Sequence, residues 1–109
     1  MQPIPSAPVL LAALSGLALA SPLAALASSA DAWAAHREEV TRACIEASGL
    51  VDARLVGSVI TYDDSVGSSA ALIAGRYPQA AMAGQEGLSL CLFDRRSRSA
   101  QAAPADNWR

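Results

Sequence analysis

Cys44 and Cys91 are the only cysteines in this chain of 109 residues, and they lie in two apolar segments far apart in sequence. Neither has another cysteine to pair with, so a disulfide between them would fix which surfaces of the two segments meet. Disulfides form and persist in oxidising compartments, and are rare in the cytosol. A structural disulfide in this chain would therefore indicate that the protein is exported.

An export signal is predicted at the N-terminus. The first thirty residues carry no ionisable side chain, and residues 9–20 have the length of a signal-peptide core. Pro22 follows that core, and small residues lead up to Ala27 and Ala30. We expect a signal peptide over residues 1–30, cleaved after Ala30, with Ala27 as the alternative. A basic residue before the core is missing, and an uncleaved anchor is a second interpretation that Pro22 and the abundance of alanine disfavour.

Cleavage would leave residues 31–109 as a single small domain, located in the periplasm or outside the cell. A core of this size rarely contributes more than roughly 3–5 kcal/mol to the free energy of unfolding. The two cysteines are 47 positions apart, and closing such a loop contributes about 4 kcal/mol in the chain-entropy model. A Cys44–Cys91 disulfide is therefore predicted to stabilise the domain as much as its core does.

The domain begins with a predicted helix over residues 31–48. Its apolar residues recur at helical spacing and define one face, namely Trp33, Val40, Cys44 and Ala47. Ser29 or Asp31 is expected to cap the first amides. At the other end, Gly49 suits a left-handed residue and Leu50 an apolar residue that folds back on the last turn.

After the helix the apolar pattern changes to a period of two, which predicts β-strands. The strands are expected at residues 52–62, 70–77, 88–93 and, as a short fourth strand, 99–103. Gly57 indicates a bulge in the first strand, and Gly67 a positive φ in the turn that follows. The predicted fold class is α+β, with one N-terminal helix packed on a three- to four-stranded antiparallel sheet.

The third strand is apolar on both faces. If Cys91 points at the helix, strict alternation places Ser89 and Phe93 beside it and three leucines on the opposite face. Those leucines are Leu88, Leu90 and Leu92. A contiguous row of exposed leucines marks an interaction surface.

Several structures could cover those leucines. The C-terminal segment with Trp108 could fold under them, a second copy of the chain could cover them, or a different partner could. A bulge, or curvature that closes the sheet over its own second face, would remove the need for a partner. The turn after this strand carries Arg95, Arg96 and Arg98, interpreted as a solvated turn or as a contact to an anionic surface.

A family resemblance rests on short segments between Cys44 and Trp108. These are Cys44, Ser48-Gly49-Leu50, Val56-Gly57, Gly75-Arg76-Tyr77-Pro78-Gln79, Leu90-Cys91-Leu92-Phe93-Asp94-Arg95-Arg96 and Ala105-Asp106-Asn107-Trp108. Their layout resembles small exported bacterial proteins of unknown function with one helix, a short meander and one disulfide. The resemblance implies a fold and a compartment, and implies no functional residues.

Catalytic and metal-binding patterns are not found in the sequence. His36 is the only histidine, and no serine sits in a Gly-x-Ser-x-Gly elbow, so His36 is interpreted as a solvent-facing or capping residue. Cys44 and Cys91 lack the Cys-x-x-Cys spacing of thiol–disulfide enzymes. One histidine and two distant cysteines do not make a zinc site. No catalytic residue, metal or cofactor is therefore predicted.

The charge is mild, with eight basic and ten acidic residues and a net charge of −2, which argues against nucleic acid as a partner. The predicted function is that of a non-enzymatic binding or interaction module of the cell envelope, whose partner is an envelope protein, a glycan or a lipid, or a second copy in a homodimer. One alternative is a small periplasmic hydrolase that uses His36. The other is a structural homo-oligomer.

Overall fold

The computed structural model describes residues 22–108, with side chains from Ser29 onward. The chain divides by its internal contacts into two units, residues 1–33 and residues 34–109. The predicted signal core at residues 9–20 lies outside the described residues. Both predicted cleavage positions, Ala27 and Ala30, lie within a helix, and cleavage itself stays a prediction.

Helix α1 spans Pro22–Ser48, so it begins nine residues before the predicted start. The prediction that Ser29 or Asp31 caps the helix is therefore wrong, because both residues lie in its interior. The residues that precede them are rich in alanine and leucine, the strongest helix formers, and proline is well tolerated in a first helical turn. The helix therefore starts at Pro22 and runs without interruption through Asp31, where its first residue was predicted.

The C-terminal end of α1 matches the prediction. Gly49 adopts a positive φ of 66°, and its amide donates to the carbonyl of Glu46 at 3.2 Å. The hydroxyl of Ser48 donates to the carbonyl of Ile45 at 2.7 Å. Leu50 then packs against the core. These contacts satisfy carbonyls that the last helical turn leaves without partners, and the chain turns directly into the sheet.

Four antiparallel strands follow in the spatial order β1-β2-β3-β4. They are β1 Val51–Thr61, β2 Ser68–Arg76, β3 Glu86–Asp94 and β4 Ser99–Pro104. Two short 3-10 turns, Ala80–Met82 and Asp106–Trp108, complete the described chain. The α+β class is confirmed, and the sheet has the fourth strand that the sequence left as an option.

Both predicted glycine positions are confirmed. Gly57 has a φ of 74°, and the pairing of β1 with β2 shifts register between Val56 and Ile60, as a bulge requires. Gly67 has a φ of 76° in the turn between β1 and β2. Side chains with a Cβ rarely adopt this backbone region, which explains why glycine occupies both positions.

The core lies between α1 and one face of the sheet. It consists of six buried side chains, two each from α1, β2 and β3, namely Val40, Cys44, Ala71, Ile73, Cys91 and Phe93. The disulfide between Cys44 and Cys91 is confirmed, with Cα atoms 5.7 Å apart. The predicted apolar face of α1 was too wide, because Trp33 is 51% exposed and Ala47 is exposed. The fully buried side chains of α1, Val40 and Cys44, are spaced i, i+4, and Ala43 and Ile45 pack beside them against the core.

A pair of glycines shapes the end of this face that lies beyond the disulfide. Gly75 and Gly87 are cross-strand partners on β2 and β3. A Cβ built on Gly75 would lie 2.8 Å from the Cβ of Leu50, and one built on Gly87 would lie 2.7 Å from the ring of Tyr77. The glycines therefore allow Leu50 and Tyr77 to lie directly on the sheet backbone.

The disulfide contribution is testable with the double variant Cys44→Ala/Cys91→Ala. We expect its free energy of unfolding to fall by about 4 kcal/mol relative to the oxidised wild type, because the unfolded chain regains the entropy of an open loop. Urea denaturation followed by circular dichroism measures this difference. A variant as stable as the oxidised wild type would contradict the role assigned to the bridge.

Candidate functional site

The face of the sheet that points away from α1 is apolar across three strands. Cross-strand pairing places Leu72 opposite Leu90 and Ala70 opposite Leu92. On β1, Val56 pairs with Leu72 and Ile60 with Ala70. Since same-face neighbours on adjacent strands lie about 5 Å apart, these side chains form one continuous surface.

The predicted leucines differ in how far they are covered. Leu88 is only 8% exposed, Leu90 is half-buried, and Leu92 is 49% exposed. The turn Asp106–Trp108 contacts β3, and Trp108 lines a groove together with Leu72 and Leu90. The C-terminal segment thus covers one end of the leucine row and leaves the other end in solvent.

Asp106 holds this C-terminal segment against the sheet. One of its carboxylate oxygens accepts the amide of Leu88 at 2.6 Å, and the other accepts the hydroxyl of Tyr77. The amide of Ala105 donates to the carbonyl of Leu88 at 2.7 Å. The carboxylate and the Ala105 amide therefore extend the β3–β4 pairing by one residue, and Trp108 follows two residues after Asp106.

We use the term apolar face for six side chains that remain partly or largely in solvent on this side of the sheet. They are Val56, Ile60, Leu72, Leu90, Leu92 and Trp108. Ile60 and Trp108 are the most exposed of them, at 58% and 66%. Val56, Ile60 and Trp108 were absent from the predicted surface, although the β1 alternation and the role considered for Trp108 both pointed to them.

Two shallow grooves lie on either side of Leu90. One, of about 300 Å³, runs between the β1 bulge and Trp108. The other, of about 400 Å³, is lined by Leu90, Leu92 and β4 residues including Ala103. The apolar face is thus a ridged surface rather than an enclosed pocket.

The charged side chains at the two ends of this face have partners within the molecule. At one end Arg54 pairs with Glu86 at 2.9 Å, and Arg76 pairs with Asp52. At the other end Asp94 accepts the backbone amides of Ser97 at 3.0 Å and Arg96 at 2.8 Å. These two amide hydrogen bonds lower the pKa of Asp94 below its ordinary value.

The predicted arginine cluster divides between the helix side of the sheet and the solvent. Arg98 donates two hydrogen bonds to the carboxylate of Glu39 on α1, at 2.8 and 2.6 Å. Arg95 turns toward the same side of the sheet, and Arg96 is exposed in the turn. The helix therefore engages one of the three arginines directly, and the leucines lie on the opposite side.

A buried polar cluster forms on the helix side of the sheet around Ser69, which has no exposed surface. His36 Nε2 lies 3.0 Å from Ser69 Oγ, and the His36 ring packs edge-on against Phe93 with ring centres 5.8 Å apart. The interpretation of His36 as a solvent-facing or capping residue was therefore wrong. The alternation of side chains along β2 places Ser69 on the face that packs against the helix. That alternation was the one sequence signal that could have linked Ser69 to His36.

Arg95 joins the same cluster. Its guanidinium donates to the carbonyl of Ser68 at 2.6 Å, to Ser69 Oγ at 3.4 Å and to the carboxylate of Asp64 at 3.1 Å. The side chain of Arg95 is only 18% exposed. The β1–β2 turn, the β3–β4 turn and α1 are thus tied together at one end of the sheet.

Ser69 and His36 lie as close together as a catalytic serine and its base, but they share no other feature of such a pair. A serine nucleophile must be reached by its substrate, and full burial of Ser69 under α1 closes that approach in this conformation. The Ser69 hydroxyl also donates to Thr61 Oγ1 at 3.5 Å. Three hydrogen-bonding groups around one buried hydroxyl, from His36, Arg95 and Thr61, are explained by the need to satisfy polar groups that folding removes from water. We therefore interpret the cluster as structural.

Comparison with protein-family models, with curated proteins and with solved structures finds no match for this chain. Within residues 22–108, no group of three or more His, Cys, Asp or Glu side chains is arranged to hold a metal ion. Over the same part of the chain, no helix combines the length and apolarity needed to cross a membrane.

The structural role of Ser69 predicts a specific loss of stability. Ser69→Ala removes the hydroxyl shared by His36 and Arg95, and we expect the free energy of unfolding to fall by about 1–3 kcal/mol. Ser58→Ala, at an exposed position on β1, is the matched control and should change it by less than about 0.5 kcal/mol. Urea denaturation of both variants checks this, and equal stabilities would show that the cluster does not contribute.

Proposed function

We propose that this chain is an exported binding module of the cell envelope, located in the periplasm or outside the cell, which acts by docking a protein through its apolar face. The observation that carries this proposal is the row of Val56, Ile60, Leu92 and Trp108, each at least 40% exposed. Isolated exposed apolar residues are ordinary, but a contiguous set on one face is typical of an interaction surface.

Export is supported by the disulfide, which is consistent with an oxidising location. It is also supported by the uncharged N-terminal segment. We therefore propose that the partner is a molecule that the chain meets after it leaves the cytosol.

Among the predicted partner classes, the chemistry of the face favours a protein. Glycan recognition needs several convergent hydrogen-bonding groups, whereas the apolar face is formed by aliphatic side chains and one indole. Binding to anionic lipid depends on basic residues beside the inserted surface, yet Arg54 and Arg76 are paired with carboxylates. An apolar, aromatic-containing patch matches the core of a protein–protein interface.

The hydrolase alternative receives one observation in its favour, the 3.0 Å contact between His36 and Ser69. The burial of Ser69 and the structural interpretation of the cluster make it the weaker proposal. The homo-oligomer alternative concerns the same apolar face and differs only in the identity of the partner.

Site-directed photo-crosslinking tests the proposed docking. A photo-reactive amino acid replaces Leu92 on the apolar face or, as the control, exposed Arg42 on α1, in bacterial cells that export the chain. We expect a discrete cross-linked product from position 92 and none from position 42. Adding Ile60→Glu should remove the product, because a carboxylate in an apolar interface is unfavourable.

Mass spectrometry of the cross-linked band identifies the partner. Products of equal yield from positions 92 and 42, or no product from position 92, would contradict docking through the apolar face.

A further inference from the structure

We propose that the protein docked on the apolar face is a second copy of this chain, so that two sheets pack face to face about a two-fold axis. This inference rests on the proposed function and names its partner. It is carried by the charge distribution, the relief and the size of the apolar face.

Charge is the first argument. A two-fold axis brings the same patch of both copies together, so a patch with uncompensated charge would repel itself. The six residues of the apolar face are uncharged. At one end Arg54 and Arg76 are paired with Glu86 and Asp52 of the same molecule. Asp94 lies beyond the other end and is held by two backbone amides. The six residues of the apolar face therefore carry no charge that would repel a second copy.

The projections and grooves of the apolar face also favour a second copy. Leu92 and Trp108 project on either side of Leu90, and each borders one of the two grooves, of about 400 and 300 Å³. In a face-to-face pair, the projecting side chains of one copy can enter the grooves of the other. Packed sheets interdigitate in this way at a separation of about 10 Å.

The area of the apolar face sets the expected affinity of the dimer. Three strands about 4.8 Å apart, with about six residues each at roughly 3.4 Å per residue, span about 300 Å² of sheet face. Two such faces bury about 600 Å² in total, below the roughly 1,200–2,000 Å² of stable interfaces. We therefore expect a reversible dimer whose dissociation constant lies in the micromolar to millimolar range.

A competing arrangement joins two copies through the edge of β4. This strand, Ser99–Pro104, pairs with β3 on one side without a register shift and has no charged residue, whereas charges and bulges normally protect a sheet edge. Edge pairing would leave Ile60 on β1 and the centre of the apolar face in solvent. Substitutions on the face therefore separate the two arrangements.

Sedimentation equilibrium of the exported, disulfide-bonded protein tests the inference over a range of concentrations. For the wild type, we expect the average mass to rise from one copy toward two. Leu92→Glu and Ile60→Glu should each weaken this association by more than about tenfold, because each places a carboxylate in the interface.

Val66→Glu is the matched control. It introduces the same carboxylate at a residue that is 62% exposed in the turn after β1 and does not belong to the apolar face, and it should associate as the wild type does. Circular dichroism and a thiol assay verify that all variants are folded and oxidised. Both face substitutions lie at exposed positions, so either one suffices if the other fails to fold.

Each remaining outcome overturns the inference. A wild type that keeps the mass of one copy at all concentrations excludes the dimer, and association that persists in Leu92→Glu and Ile60→Glu indicates another surface, such as the β4 edge. A position-92 cross-link to a different protein would reject the second copy and keep the proposed function. The absence of any position-92 product would reject both.

Discussion

The disulfide between Cys44 and Cys91 is the constraint on which the rest of this structure depends. It joins α1 to β3 within a core whose two sulfur-bearing residues have no exposed surface. Because strand residues alternate between faces, this one bond determines that Phe93 is covered by the helix and that Leu92 is not. The apolar face is thus a direct consequence of which residue of β3 is bridged.

The two ends of the sheet are closed by different chemistry. At one end a buried serine hydroxyl connects His36 and Arg95, so that the helix and two turns share one polar cluster. At the other end Asp106 accepts the Leu88 amide and anchors the C-terminal segment. The C-terminal segment covers the Leu88 end of the second face, whereas the Leu92 end is covered neither by the helix nor by the C-terminal segment.

Features that depend on local sequence could be predicted. The helix end at Ser48, the bulge at Gly57 and all four strands follow from backbone preferences and apolar periodicity over a few residues. The disulfide followed from the presence of only two cysteines. Export, cleavage and function stay predictions, because they concern processing and partners rather than the fold.

Features that depend on distant residues could not be predicted. His36 and Ser69 are 33 positions apart, and Arg98 and Glu39 are 59 apart. Their contacts arise only once the sheet register and the helix position are set together. The predicted start of α1 was wrong for a different reason. Ser29 and Asp31 are good capping residues, but the segment before them has a strong helix propensity, so they lie inside the helix.

Hydroxyl-radical footprinting of the dilute, disulfide-bonded protein tests most directly whether the bridge divides the sheet into a covered and an uncovered face. The account predicts rapid modification of Ile60, Leu92 and Trp108, and protection of Ile73 and Phe93. Leu92 and Phe93 are adjacent in sequence and therefore give an internal comparison. Equal modification of these two residues, or greater modification of Phe93, would contradict the account.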